Sequence, residues 1–365
     1  MKEKHMKKEK NFYIKASQTE RPASKSSIYV DGIAEDDFRD YVDIELSHWL
    51  PNKTEDRYKA GTSTEICFKF LEANENHPYD LVINNHLDID GLLSVFVLCH
   101  PKIALYYKDV LCNASKTGDF WAWSAGKSLK LFQNLTQMYK KLEEQKTDLQ
   151  IAYGICFDLI LQILESREDK TDAQAILESQ YFLIEQGKIQ RQELCPILVT
   201  YFVPQNLSKG RVQEFLQVPR FNEPLSERLA FWPQVRNRLD GEKIQLVAIE
   251  SEKGIHYDLW YPGHVWADTH GLWKPTGLIP PKKTEDNHLM TCPRLSRIIQ
   301  ELNEIETGPC SWTLFSGMGL FDKKNPRRFP IVASTLGKGN ETKESHLSVD
   351  TVNHVFTKEL KKWNF

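Results

Sequence analysis

A chain of 365 residues, 41% hydrophobic and 27% charged, can bury a sizeable core and is too long for one small module. Lys and Arg number 47 and Asp and Glu 50, so the formal net charge of -3 argues against bulk electrostatic binding of duplex nucleic acid. Seven cysteines, an odd number with no C-x-x-C among them, argue against a disulfide framework or a zinc ribbon and point to a reducing compartment.

No segment approaches the ~18 apolar residues of a membrane span. The first ten residues hold five lysines with no apolar stretch behind them, so they do not read as a secretory signal. The expectation is a cytoplasmic protein with a disordered basic tail over residues 1–26. Order is expected from Ser27. Ile28-Tyr29-Val30 reads as a strand ending at Asp31-Gly32. Val42, Ile44 and Leu46 alternate with Asp43 and Glu45, the period of a half-exposed strand, which ends at Ser47-His48-Trp49. Thr62-Ser63-Thr64-Glu65 has the spacing of a capping box ahead of a helical stripe at Ile66, Phe70 and Leu71.

Leu81-Val82-Ile83 is uniformly apolar, as expected of a central strand. A polar loop then leads into an apolar helix, Leu92 to Leu98. Leu129, Phe132, Leu135, Met138 and Leu142 recur at helical spacing, and further helices are expected from Leu149 to Leu164 and from Asp172 to Glu185. Ser208 to Pro224 reads as a linker. Beyond it the chain reads as strands at Gln245 to Ile249, His256 to Tyr261 and His264 to Asp268. A helix from Leu295 to Ile305, strands near Trp312 and Ile331, and a last helix capped by Ser348 complete the pattern. The expected architecture is an α/β N-terminal domain, a mostly parallel sheet with helices on both faces, at 27–207. A linker and connecting helix at 208–240 would join it to a smaller α+β C-terminal domain at 241–365.

The sharpest feature is the loop between the apolar strand and helix, which contains His86-x-Asp88-x-Asp90-Gly91. Two carboxylates and an imidazole at alternate positions can converge if the loop curls, and the glycine lets the chain turn into the helix. That donor set suits Mn²⁺ or Mg²⁺, one or two ions, better than zinc. Ligands in open α/β sheets bind at the carboxyl ends of strands, where this loop sits. Bland alternatives are an Asx-rich turn with solvated carboxylates, and acids that decorate a helix N-terminus because its dipole favours them. An EF-hand is not supported, because Val97 stands where its bidentate glutamate is needed.

The segment INNHLDIDGLLSV resembles the first motif of the DHH (Asp-His-His) phosphoesterases, with His86, Asp88, Asp90, Gly91 and Ser94 in the motif positions and histidine replacing the first aspartate. The resemblance implies an α/β fold and a pair of divalent ions, usually Mn²⁺, acting on a phosphate ester or anhydride. The chain lacks a DHH triplet. Ser47-His48-Trp49 is its nearest counterpart, Asp31-Gly32 would map to the isolated aspartate motif, and Gly118-Asp119-Phe120 would map to the late metal-binding aspartate. On that mapping Asp31, His48, His86, Asp88, Asp90 and Asp119 are the metal ligands, and the motif order is circularly shifted. The combination SHW, GTSTE, NNHLDIDG and GDF also resembles a group of uncharacterised bacterial proteins, a kinship that implies no activity.

Other signals are weaker. His48 is either a ligand or a strand-end residue beside Trp49, and Asp31 in a DG turn is commonly only a turn residue. Trp121 and Trp123 could stack on a base or pack in the core. The run Tyr257, Trp260, Tyr261, Trp266 and Trp273 reads as core or as an aromatic ligand wall. Lys323, Lys324, Arg327 and Arg328 form a basic cluster, and with Lys338 they are candidates to hold a phosphate. Gly337-Lys338-Gly339-Asn340 lacks the spacing of a P-loop, and no G-x-S-x-G occurs. The expected function is metal-dependent hydrolysis of a small phosphorylated or nucleotide substrate, with Asp88, Asp90 and His86 catalytic. The competing expectation is a non-catalytic ligand-binding or interaction protein that keeps the fold.

Overall fold

The computed structural model describes residues 11–34, 37–73, 78–269, 293–315 and 325–360. The first sheet is built from β1 (Asn11–Ile14), β2 (Ser27–Val30), β3 (Ile44–Leu46) and, after helix α1 (Ser63–Glu72), β4 (Leu81–Asn84). Its strands are all parallel, in the order β1-β4-β2-β3, so β4 is interior. An interior parallel strand is surrounded by protein, which is why Leu81, Val82 and Ile83 carry no polar alternation. A helical run follows, with α2 (Ile89–Cys99), α3 (Pro101–Tyr106), α4 (Lys108–Asp119), α5 (Gly126–Glu144), α6 (Leu149–Glu165) and α7 (Asp172–Glu185). Every residue of α2 is buried, as its apolar composition all round requires.

The second sheet contains β5 (Gln190–Cys195) and β6 (Leu198–Val203). After the short helices α8 (Gln205–Ser208) and α9 (Val212–Leu216) and the helix α10 (Pro233–Asp240) come β7 (Ile244–Ser251) and β8 (Gly254–Trp260). Helix α11 (Pro293–Ile305), β9 (Ser311–Leu314), β10 (Ile331–Leu336) and α12 (Val349–Leu360) complete the chain. The order is β5-β6-β7-β8-β10-β9, with only the β6–β7 pair parallel. One face packs Leu246, Tyr257 and Leu259 against Leu302 of α11 and Phe356 of α12. The other adds Val199, Tyr201 and Val247 to the large core that also holds Ile28, Val82, Phe96, Phe132 and Tyr153.

Several expectations are corrected. Residues 11–14 are not a disordered tail but the edge strand β1; residues 1–10 lie outside the described residues. The signal was missing because four residues are too few to show a period. The free edge of β1 is completed by a side chain: Gln150 accepts from Ile14 N and donates to Phe12 O, both at 2.9 Å. Among the described residues, helices do not cover both faces of the first sheet. The face bearing Tyr29, Leu81 and Ile83 packs on Tyr13, Ala34 and Phe38, which are strand and loop residues. Strand β3 is not half-exposed, since Asp43 and Glu45 are buried. Asp43 takes the Arg39 guanidinium and Ser27 N, and Glu45 takes the amides of Ala34 and Lys53. Residues 264–268 form turns rather than a strand. The expected border at 207/208 separates β6 from β7, which are paired in one sheet.

The stretch read as a linker is held by two buried glutamines. Gln133 of α5 donates to Leu225 O at 2.9 Å and accepts from Leu225 N at 2.8 Å. Gln180 of α7 does the same for Leu229 O and Trp232 N, both at 2.8 Å. An amide side chain mimics a strand neighbour, offering one donor and one acceptor to a peptide that would otherwise be buried unpaired. Replacing Gln133 with Ala should therefore destabilise the protein by about 1–3 kcal/mol, the range for orphaned buried polar groups. Gln133→Glu should recover part of the loss, because Glu still accepts from Leu225 N. Urea unfolding of the three proteins checks this, and an unchanged Gln133→Ala midpoint would refute it.

Candidate metal centre

The carboxyl ends of the parallel strands deliver polar side chains to one edge of the sheet. Asp31 follows β2 with φ at 43°, a left-handed position that aspartate tolerates better than most residues. His48 lies just beyond β3, Asn84 ends β4, and Asn85 to Asp90 follow it. Asp119 is the last residue of α4. There the helix field disfavours a carboxylate, so its presence calls for another explanation.

Asp31 is the hub. Its Oδ1 accepts from Trp49 Nε1 and Ser63 Oγ, both at 2.9 Å, and lies 3.4 Å from His48 Nε2. Its Oδ2 lies 3.2 Å from His86 Nε2 and has no hydrogen-bond partner. His48 Nδ1 is 2.8 Å from the Gly61 carbonyl. That contact makes Nδ1 a donor in either protonation state, so whenever the ring is neutral its lone pair lies on Nε2 and points inward. Nε2 faces Asp31, Asp90 and Asp119 at 3.4, 3.6 and 3.4 Å, yet it is hydrogen-bonded to none of them.

Asp90 is anchored by a helix end. Its Oδ2 accepts from Ser63 N at 2.6 Å and its Oδ1 from Thr64 N at 2.9 Å. These are the first two amides of α1, behind the capping box of Thr62 and Glu65. Asp88 divides its carboxylate. Oδ1 caps α2 through Gly91 N at 2.7 Å, while Oδ2 lies 3.0 Å from His86 Nε2. The bland reading of this loop, acids at a helix N-terminus, thus describes one oxygen of Asp88. His86 is held by Tyr153, whose hydroxyl donates to its carbonyl at 2.8 Å, and by Asn85 Oδ1 at 2.7 Å from Nδ1. His86 and Asp88 are the open side of the cluster, with side chains 33% and 17% exposed. Two groups of possible ligands result, Asp31-His86-Asp88 and Asp31-His48-Asp90, sharing Asp31.

The electrostatics are those of carboxylates crowded away from water. Burial opposes ionisation of Asp31, but the adjacent His48 and His86 outweigh that and hold it far below the usual range. Burial and the charge of Asp31 push Asp90 up to about 7. Burial and then Asp90, Asp88 and Asp31 push Asp119 well above its ordinary value. Burial disfavours the charged form of His48, yet Asp31 and Asp90 raise it to about 9. His86 is likewise raised, with burial opposed by Asp88 and Asp31.

The remaining candidates are elsewhere. Arg327 is committed to Asp258 at 3.1 and 2.6 Å and to Leu216 O at 2.6 Å. Arg328 has φ at 66° and donates its amide to Asn325 Oδ1 at 3.0 Å; Lys338 is exposed in the turn after β10. None of the three has a hydrogen bond or ion pair with the cluster among the described residues. Lys323, Lys324 and Trp273 lie outside those residues. Trp121 is core, 4.3 Å from Phe221 and buried.

Sequence reasoning missed the partners from the second half of the chain. Trp266 packs edge-on to His48 and Trp49, each at 4.9 Å between ring centroids. Asp268 N donates to His48 O at 2.7 Å, while its carboxylate takes Lys59 at 3.0 Å and Asn52 at 3.2 Å. Asn222 Oδ1 accepts from Ile89 N at 3.2 Å. No local pattern marks these residues. Their roles arise only from the chain's return to the strand ends.

Residues 9–176 match the model of a family of unknown function (DUF6687), just under half of the chain. That span contains all six residues of the cluster and none of the basic candidates. No curated protein and no solved structure matches.

Gly91 shows how closely the loop is packed. A Cβ there would stand 2.2 Å from Asn84 Nδ2, 2.9 Å from Asp31 Oδ2 and 3.0 Å from Asp88 Oδ1. Gly to Ala in an ordinary helix gains about 1 kcal/mol. Here the crowding should reverse the sign, with a loss of about 1–3 kcal/mol. Asp88→Asn should leave the metal-free stability unchanged or slightly raised, because Asn caps as well as Asp and removes one repelling charge. Asp88→Ala should lose about 1 kcal/mol with the cap. Denaturant melts in chelator measure all three, and a stabilised Gly91→Ala would contradict the packing.

Proposed function

We propose that this protein is a divalent-metal-dependent hydrolase of phosphate esters or anhydrides, acting on a small phosphorylated or nucleotide substrate. The observation that carries the reading is Asp31. Its two oxygens face two different histidines, each accompanied by a further aspartate, and two buried donor atoms of the set, Asp31 Oδ2 and His48 Nε2, have no hydrogen-bond partner. Orphaned buried atoms of this kind are costly unless something else satisfies them. Carboxylates with imidazole fit Mn²⁺ or Mg²⁺. Asp31, His48, Asp90 and Asp119 would hold one ion, and Asp31, His86 and Asp88 the other. The resemblance of this loop to the first motif of the DHH phosphoesterases supports the same chemistry.

Bound divalent ions would supply Lewis acidity toward a water and toward the phosphoryl oxygens. The chain's own residues do the rest. Gly61 O and Trp266 orient His48, the amides of Ser63 and Thr64 fix Asp90, and Trp49 and Ser63 fix Asp31. Such outer partners set ligand orientation and basicity. His86 and Asp88, on the open side, would meet substrate first. The buried depth of His48, Asp90 and Asp119 favours the competing reading, a non-catalytic ligand-binding or interaction protein that retains the fold and one ion.

The test is thermal melting and metal analysis of wild type and Asp31→Asn after purification in manganese, with a panel of phosphomonoester, phosphodiester and pyrophosphate substrates. Wild type should be stabilised by about 2.7 kcal/mol at a metal concentration 100 times Kd. Asp31→Asn should lose both the stabilisation and hydrolysis. Metal-dependent melting with no turnover of any substrate would favour the non-catalytic reading, and no metal response at all would end both.

A further inference from the structure

Asn222 lies outside the family-matched span, in the segment clamped by Gln133, yet its carboxamide enters the acidic loop. Its Oδ1 accepts from Ile89 N at 3.2 Å, the amide between Asp88 and Asp90. The same oxygen occupies the space beside Gly118. A Cβ at Gly118 would stand 2.5 Å from Asn222 Oδ1 and 3.1 Å from Ile89 Cβ. Gly118 precedes Asp119 in α4, where alanine would otherwise serve the helix better. The backbone of Asn222 is left-handed, φ 54°, a region asparagine enters more readily than other side chains. Its neighbour Phe221 is fixed against Trp121 at 4.3 Å and stacked on Phe329 at 6.2 Å. One oxygen is therefore wedged between the turn that carries Asp88 and Asp90 and the helix end that carries Asp119.

We propose that Asn222 is a positioning residue, which sets the separation of Asp88 and Asp90 from Asp119 and through it the affinity of the centre for divalent cations. The inference rests on the metal reading above. Mutually repelling carboxylates on two separate elements tend to move apart. Asn222 fixes their spacing instead: its bond to Ile89 N ties the Asp88–Asp90 turn to its own segment, and its close fit at Gly118 sets how near the Asp119 helix end can sit. Losing an outer-shell bond of this kind typically costs about 10–100-fold in metal affinity.

The experiment is Mn²⁺ titration of the full chain by calorimetry, with urea unfolding in chelator, for wild type, Asn222→Ala, Asn222→Asp and Gly118→Ala. Asn222→Ala and Gly118→Ala should each weaken Mn²⁺ binding by about 10-fold or more. Gly118→Ala reaches the same oxygen from the other side, so it decides the question if Asn222→Ala does not fold. Asn222→Asp keeps the acceptor for Ile89 N and adds a negative charge beside the turn that carries Asp88 and Asp90, so it should bind Mn²⁺ at least as tightly as wild type. A residue that merely caps α2 would lower the unfolding midpoint without changing Mn²⁺ affinity. Wild-type affinity in Asn222→Ala, or in Gly118→Ala when the former does not fold, overturns this inference alone. Wild type that binds no Mn²⁺ overturns the metal reading and this inference with it.

Discussion

Asp31, Asp88, Asp90 and Asp119 bring four carboxylates to one buried edge of a sheet, and much of the surrounding structure answers the resulting charge. Each carboxylate is met differently. The first amides of α1 receive Asp90, the first turn of α2 receives one oxygen of Asp88, and an indole and a hydroxyl receive Asp31. Two helix N-termini thus point at the same cluster, and their fields add to the individual hydrogen bonds. The carboxylates in turn raise His48 to about 9 and His86 above its ordinary value, which favours the charged rings as counter-charge. Asp119 has the least favourable position. It ends its own helix and has His48 as its close partner at 3.4 Å, and burial with the neighbouring carboxylates raises it well above its ordinary value. The same arrangement stores negative potential and leaves the donor atoms Asp31 Oδ2 and His48 Nε2 without a hydrogen bond. Those are the features on which the proposed divalent-ion chemistry rests.

What was legible in the sequence follows from what is local. The apolar β4, the capping box at Thr62 and the helices α5 to α7 are set by periodicity and short-range hydrogen bonds, and they stand where the residues predicted. His86, Asp88 and Asp90 were legible as a group because one loop carries them. Asp31, His48 and Asp119 had no local signal stronger than a DG turn, a strand end and a GDF triplet, yet the fold brings all three to the same point. The errors share one cause. Strand β1, the linker and the carboxylates of β3 were misread because their partners are distant: Gln150 for β1, Gln133 and Gln180 for the linker, Arg39 and backbone amides for Asp43 and Glu45. A buried glutamine that serves as a surrogate peptide has no sequence signature, and an acid bonded to amides looks like a solvated one.

These distant partners also explain why the second half of the chain belongs to the site. The segment after α9 is pinned to α5 and α7 through backbone-to-amide bonds, and it then presents Phe221 and Asn222. The turn after β8 presents Trp266 and Asp268, and Gly263 there approaches the Phe120 carbonyl so closely that a Cβ would stand 2.6 Å from it. Together these contacts close the His48 side of the cluster and leave the His86 side open. The cluster is therefore reached from the β4 loop, where His86 and Asp88 are partly exposed. Water would be excluded at the deep end, where low polarity strengthens every electrostatic contact.

The order in which the chain visits the site is not itself a constraint. All strands of the first sheet are parallel, so each delivers its following loop to the same edge whatever its place in the sequence. Asp31 arrives first, then His48, then the β4 loop, and Asp119 last. The site needs β4 beside β2, because the oxygens of Asp31 must face both His48 and His86. It does not need β4 to precede β2. Parallel pairing requires a long crossover between strands, and here α1 supplies it between β3 and β4. The β4 loop can therefore come third in this chain without any change in the cluster. In such a sheet, motif order records how the crossovers were joined, while the chemistry depends on which strand ends are neighbours.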